Sequence, residues 1–265
     1  MNLRGRLKMA LQALRGQVPG NIPPIPPVPP ALPAEPKQVM DNQLLAGKNV
    51  LITGAGRNIG RSIAIDMAKQ GANIFFTDID QQKCQELEQA LREYPVVAKG
   101  FFSDITSNEE TDQLCGFFIQ AGVKIDTLIN NVGIQFEESL STFNPENSYR
   151  IFNTNVLSPL YLTRQIAQLF KNNQIPGSIL FITSIHQETI SRMVSYSASK
   201  AALKMIIKEL ALELAPYGIR VNGIAPGAVS EDELGNTFDQ QYTPLHQCSV
   251  NPRYIGRAAV YLTSD

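Results

Sequence analysis

"NVLITGAGRNIGRSIA", residues 49–64, runs from an apolar stretch through a glycine-bearing turn into a segment with helical spacing. An apolar run this short reads as a buried strand, and Gly54, Gly56 and Gly60 mark where the chain leaves it. The free backbone N–H groups of a helix N-terminus bind phosphate, and glycine lets the backbone approach it. Alone, a glycine turn after a strand is as often a plain tight loop. The spacing here is also one residue longer at its end than G-x-G-x-x-G.

The same alternation continues along the chain. "NIFFTD", "AKGFFSD", "IDTLINNVG", "GSILFITS" and "IRVNGIAPG" read as strands. Helical spacing runs from about Arg61, through "CQELEQALREY", around "NVLSPLYLTRQIAQLF" and through "SYSASKAALKMIIKELALEL". Continuous apolar strands separated by helices predict a doubly wound parallel sheet, a Rossmann-type α/β fold in three αβα layers.

Asp78 ends the second strand, 24 residues after Gly54. A carboxylate there is placed for a ribose 2′-hydroxyl and repels a 2′-phosphate, which favours NAD over NADP. Arg57, in the glycine turn, pulls toward NADP, because a guanidinium can receive that phosphate. A solvated turn residue is the plain alternative for Asp78.

Tyr196 and Lys200 stand four apart, on one face of a helix. A cation beside a phenol lowers the phenol's pKa and makes it a usable proton carrier. Eight tyrosines among 265 residues make a chance Tyr-x-x-x-Lys pair easy, so the spacing alone is weak.

The formal net charge of −1 argues against nucleic acid as the main partner. Cys84, Cys115 and Cys248 lack metal or redox spacing and read as reduced thiols in a cytoplasmic compartment. His186 and His246 have no carboxylate cluster beside them to build a metal site. Residues 1–18 are basic, with Leu3, Leu7, Leu11 and Leu14 at helical spacing. Through residues 1–17 this leader could lie on an anionic membrane surface or act as a targeting segment; a disordered leader fits equally. Residues 19–45 form a proline-rich linker, and residues 46–265 the nucleotide-binding body.

"TGAGRNIG", "INNVG", "FNTNV", "ITS", "YSASK" and "RVNGIAPGAV" occur in that order over about 180 residues. Together they resemble the short-chain dehydrogenase/reductase family, most closely its bacterial 3-oxoacyl-carrier-protein reductase and glucose dehydrogenase branch. The resemblance implies an NAD(P)-dependent oxidoreductase that interconverts a secondary alcohol and a carbonyl on a small molecule, assembled as a homo-oligomer. It implies Tyr196 as acid/base, Lys200 as its activator and ribose ligand, and Ser184 as donor to the substrate oxygen. Asn155 would hold a water that links Lys200 to solvent. Gly54, Arg57, Asn58, Ile59 and Gly60 would cradle the cofactor phosphates, and Asp104 and Ile105 would line the adenine site. Asn131 and Gly133 would lie along the cofactor, with Pro226, Gly227 and Val229 at the nicotinamide end. A nucleotide-binding scaffold without turnover is the alternative on the same fold.

The chain departs from the family pattern in three places. Asn58 stands where the turn has its middle glycine, though asparagine tolerates left-handed backbone. Glu231 stands where a threonine is usual. The chain ends at "AAVYLTSD", which resembles the helix before the family's final strand, so that strand is expected to be missing. After Ser184 comes "IHQETISRMV", where His186 and Gln187 could face a substrate. The polar stretch from Ser230 to Val250 reads as a lid over a polar or hydroxylated substrate.

Overall fold

A computed structural model of the chain describes residues 43–190, 192–229 and 250–264. The leader, the linker up to residue 42, His246, Cys248, Glu231 and the expected lid over residues 230–249 lie outside them. The strands are β1 Asn49–Thr53, β2 Asn73–Asp78, β3 Ala98–Phe102, β4 Thr127–Asn130, β5 Ser178–Ile182 and β6 Arg220–Ile224. The helices are α1 Asn58–Lys69, α2 Gln81–Leu91, α3 Asn108–Gln120, α4 Pro145–Phe152, α5 Ser158–Asn173, α6 Val194–Leu214 and α7 Arg253–Thr263. The strands lie in the order β3-β2-β1-β4-β5-β6, every neighbouring pair parallel. This is the predicted doubly wound sheet, and its order reverses between β1 and β4, where such folds open a crevice at the strand C-termini.

Alternate residues of each strand feed opposite faces of the sheet. Val50, Ile52, Ile74, Phe76, Leu180 and Ile182 pack with Ile63 and Met67 of α1, Leu87 of α2 and Ala259 of α7. Leu51, Phe75, Leu128, Ile179 and Phe181 pack with Phe118 of α3, Ile166 and Phe170 of α5, and Leu203 of α6. Phe75 and Phe118 meet edge to face at 5.5 Å. Both faces of the sheet are therefore covered, which is why its strands are apolar throughout.

Helices α3 and α4 were not read from the sequence, although each carries a start signal. Ser107 caps α3 by accepting from the Glu110 N–H, and Glu109 and Glu110 supply acid in its first turn. Asn144 caps α4 by accepting from the Glu146 N–H, with Pro145 at the first helical position. Helix α1 begins at Asn58, three residues before its predicted start.

Among the described residues β6 is the sheet edge beyond β5. Arg220 on β6 donates to the carbonyls of Leu262 at 2.7 Å and Ser264 at 2.8 Å, which satisfies the C-terminal end of α7.

Candidate active site

The crevice at β1 is built by glycines that the packing requires. Gly54 has φ +62°, and a Cβ there would stand 2.8 Å from Val132 Cγ2. A Cβ on Gly56 would meet Asp78 Oδ2 at 2.7 Å, and one on Gly60 would meet the Gly54 carbonyl oxygen at 2.2 Å. Asn58 takes φ +49°, the left-handed backbone anticipated for a residue in a glycine's place. No side chain caps α1 at Arg57, so the helix leaves first-turn N–H donors for an anion. Arg57 and Asn58 are exposed, Ile59 half-buried and Gly60 buried.

Asp78 closes the adjoining wall. Its Oδ2 accepts from Gly56 N at 2.8 Å and its Oδ1 from Asp80 N at 3.1 Å. Each oxygen keeps a lone pair for a further donor. Ser103 N donates to the Asp78 carbonyl, which brings the end of β3 alongside. Asp104 is exposed there, whereas Ile105 is packed away, so Asp104 is the one whose side chain a ligand can reach.

Asn131 ties β4 to β1. Its N–H donates to Thr53 Oγ1 at 3.0 Å, and its side-chain amide donates to the carbonyls of Thr53 at 3.0 Å and Gly54 at 2.8 Å. Asn155 sits in a π-helical turn, Asn153–Leu157, between α4 and α5. It accepts from Ile134 N at 2.8 Å and donates to the Ile134 carbonyl at 2.9 Å and Ser199 Oγ at 3.1 Å. A Cβ on Gly133 would lie 3.3 Å from Lys200 Nζ and 3.6 Å from Asn155 Oδ1. Gly133, Asn155 and Lys200 therefore share one small space.

At the other end of that space, α6 carries the phenol and the ammonium. Lys200 is buried, its Nζ donates to the Ile182 carbonyl at 3.1 Å, and it lies 5.6 Å from the Tyr196 ring centroid. Ser184 hydrogen-bonds the Tyr196 hydroxyl. The His186 ring meets Tyr196 edge to face at 5.3 Å. Burial pulls the Lys200 ammonium down to about 8. Burial and, second, the Lys200 charge hold the His186 imidazole below its ordinary value.

The i, i+4 spacing predicts a lowered phenol, yet burial raises the Tyr196 pKa, and the bond from Ser184 only opposes this. Desolvation of the phenolate is the larger effect and the Ser184 bond the smaller one.

Beyond β6, Pro226 is buried and its carbonyl accepts from Ile185 N at 3.0 Å. Gly227 is exposed, and Val229 pairs with Val250. The segment after β6 is thus fastened beside the turn that follows Ser184.

Residues 48–242 match the family model described as short chain dehydrogenase. The chain belongs to the short-chain dehydrogenases. It is accordingly an oxidoreductase that interconverts alcohols and carbonyls with a nicotinamide dinucleotide. It is 34% identical over 236 residues to the 7alpha-hydroxysteroid dehydrogenase of Escherichia coli (strain K12), covering 84% of this chain and 90% of that one. It is 31% identical over 229 residues to the 5-keto-D-gluconate 5-reductase of the same strain, covering 83% and 89%. A solved structure of 7 alpha-hydroxysteroid dehydrogenase with NADH and 7-oxo glycochenodeoxycholic acid superposes with a TM-score of 0.76 at 34% identity, over 84% of this chain and 90% of that one.

In this short-chain dehydrogenase, Ser199 and Glu138 support the site although the sequence did not single them out, and Gly56, read only as a turn glycine, supports it as well. Gly56 bonds Asp78, Ser199 Oγ donates to the Tyr196 carbonyl at 2.7 Å, and Glu138 is buried against Ser195. Gly56 and Ser199 lie inside quoted motifs, whereas Glu138 carries no local signal. Long-range packing alone reveals it.

Proposed function

We propose that the protein is an NAD-preferring dehydrogenase/reductase in which Tyr196 is the acid/base, Lys200 its charge partner, and Ser184 the second donor to the reacting oxygen. The observation that carries this reading is Lys200 Nζ, buried between the Ile182 carbonyl and the Tyr196 ring while Ser184 bonds the phenol. The same set favours an enzyme over a scaffold without turnover.

The residues fit a dinucleotide. Glycines without room for a Cβ, first-turn N–H donors of α1 and the Asp78 carboxylate supply the donor and acceptor types that phosphates and a ribose hydroxyl need. Gly54, Arg57, Asn58, Ile59 and Gly60 would hold the phosphates, and Asp78 and Asp104 the adenosine end. Asn131, Gly133, Pro226, Gly227 and Val229 would flank the remainder. The bound nicotinamide supplies or accepts the hydride.

In the reducing direction Tyr196 gives its hydroxyl proton to the carbonyl oxygen while Ser184 donates a hydrogen bond to the same atom. The phenolate left behind is stabilised by the Lys200 ammonium. With its pKa near 8, Lys200 can be charged or neutral around working pH, so it can return a proton to Tyr196. Asn155 fixes the Ile134 backbone beside Lys200 and would hold a relay water there.

His186 and Gln187, in the turn after Ser184, favour a hydroxylated substrate such as a keto sugar acid, or a polyol in the oxidising direction. A second reading, an apolar ring system, is favoured by the exposed Leu140, Phe143 and Ile190 on the neighbouring loops. The test is a panel of 5-keto-D-gluconate, diacetyl and a 7-oxo bile acid, each with NADH and with NADPH, and of L-rhamnose with NAD+ and with NADP+. Turnover of the sugar compounds supports the first reading; turnover confined to the bile acid supports the second. No turnover of any member contradicts both.

We further infer a homo-oligomer in the cytoplasm, with exposed Leu157, Met205 and Leu212 available for self-association. From composition we infer that residues 1–17 contact a membrane surface, that residues 19–45 are a proline-rich linker and that the body begins at residue 46. Among the described residues no helix is long and apolar enough to cross a membrane.

A further inference from the structure

Tyr196 is the third residue of α6, and Met193 before that helix offers no side-chain cap. A first helical turn has no intrahelical acceptors for its N–H groups and frays readily. The acid/base therefore sits where a helix is least constrained, and something else must fix it.

Two clamps flank Tyr196. On its C-terminal side, Ser199 Oγ donates to the Tyr196 carbonyl and accepts from Asn155. On its N-terminal side stands Glu138, 5% exposed, in the segment that follows β4. Glu138 Oε2 accepts from Ser195 Oγ, and Oε1 accepts from Asn144 N at 3.0 Å. Ser195 Oγ also pairs with Ser148 Oγ of α4 at 2.7 Å. The Glu138 backbone bridges Met193. One carboxylate thus joins the loop after β4, the start of α4 and the residue before Tyr196. Hydrogen bonds from the Asn144 backbone, the Ser195 side chain and, least, the Ser195 backbone hold its pKa below the ordinary carboxylate range, so it is charged at neutral pH. A buried carboxylate is costly and persists only when its oxygens are paired. An apolar side chain would fill the space but could not join three segments.

We propose that Glu138, acting through Ser195, is a positioning residue that sets the Tyr196 hydroxyl against Ser184 and Lys200. This rests on the reading of Tyr196 as acid/base. Glu138 touches neither that hydroxyl nor Lys200 through any bond described above, so its effect passes through the backbone of the first turn.

The experiment uses full-length Glu138→Ala, Ser195→Ala, their double variant and Glu138→Gln, with Tyr196→Phe as control. NADH affinity is read by fluorescence, kcat with the fastest carbonyl of the panel, and amide exchange over residues 195–198 by mass spectrometry. Glu138→Ala should leave NADH affinity within about twofold and lower kcat about ten- to a hundredfold, the range for an acid/base displaced by about an ångström. Exchange over 195–198 should quicken while later turns of α6 stay protected. The double variant should be no worse than Glu138→Ala, because both remove one linkage. Glu138→Gln should recover most activity: its carbonyl accepts from Asn144 N, and its amide donates to Ser195, which turns its own proton to Ser148. If Glu138→Ala fails to fold, Ser195→Ala tests the same linkage by the same readouts.

Wild-type kcat and exchange in Glu138→Ala and Ser195→Ala would overturn the proposal. So would a loss of kcat that only tracks a smaller folded fraction. If Tyr196→Phe turns over normally, the acid/base reading itself fails; if Tyr196→Phe is inactive while Glu138→Ala is normal, only the positioning role fails.

Discussion

The Asp78 carboxylate accepts the backbone N–H of Gly56 at 2.8 Å, which fixes a negative charge at the rim of the glycine turn. A 2′-phosphate entering there meets a charge of its own sign. NADH should therefore outperform NADPH in kcat/KM by about tenfold or more, the effect of about 1.4 kcal/mol. Asp78→Ser should narrow that ratio by raising KM for NADH, with exposed Arg57 then free to favour NADPH. An unchanged ratio in the variant would remove Asp78 from cofactor choice.

Gly60→Ala should destabilise the fold as well as abolish cofactor binding. Its Cβ would press to 2.2 Å on the Gly54 carbonyl and 2.6 Å on Asn131 Nδ2, groups held by the β1–β4 junction. Overpacking against backbone costs about 1–3 kcal/mol. Urea unfolding should show a lower midpoint with no NADH response; a wild-type midpoint would mean that the turn has slack.

Lys200 opposes stability at neutral pH. Its folded pKa of about 8 lies below the ordinary 10.5, so the unfolded chain binds more protons between those values. Stability from this group therefore rises as pH climbs from 8 toward 10.5, and below 8 the full burial penalty stands. Lys200→Met should be more stable than wild type at pH 7 by about 1–3 kcal/mol, given 1.36 kcal/mol per pKa unit less the lost bond to Ile182. The gap should shrink by pH 9.5, and turnover should vanish. Urea midpoints at both pH values check this; a variant less stable at pH 7 would contradict it.

Much of this fold was legible because each strand is a short apolar run bounded by turn residues, as in Val50–Thr53 and Ile179–Ile182. Parallel pairing then followed from the helices between them. The helix of Asn108–Gln120 was missed although Ser107 and Glu110 carry its cap, and that of Pro145–Phe152 although Asn144 precedes a proline. In the site, local motifs disclosed Tyr196, Lys200 and Asn155. They gave no sign that Asn155 lies in a π-helical turn, or that burial raises the Tyr196 pKa. Glu138 was invisible because its partner Ser195 lies 57 residues away. Burial and long-range hydrogen bonds are properties of the packed chain, and no spacing rule encodes them.

The most direct measurement compares Tyr196→Phe with wild type, reading NADH binding by fluorescence and kcat with any carbonyl that the wild type reduces. Removing one hydroxyl should leave the affinity within about twofold while kcat falls at least about a hundredfold, the share a positioned general acid contributes. A variant that binds NADH and keeps its full kcat would show that the proton comes from elsewhere.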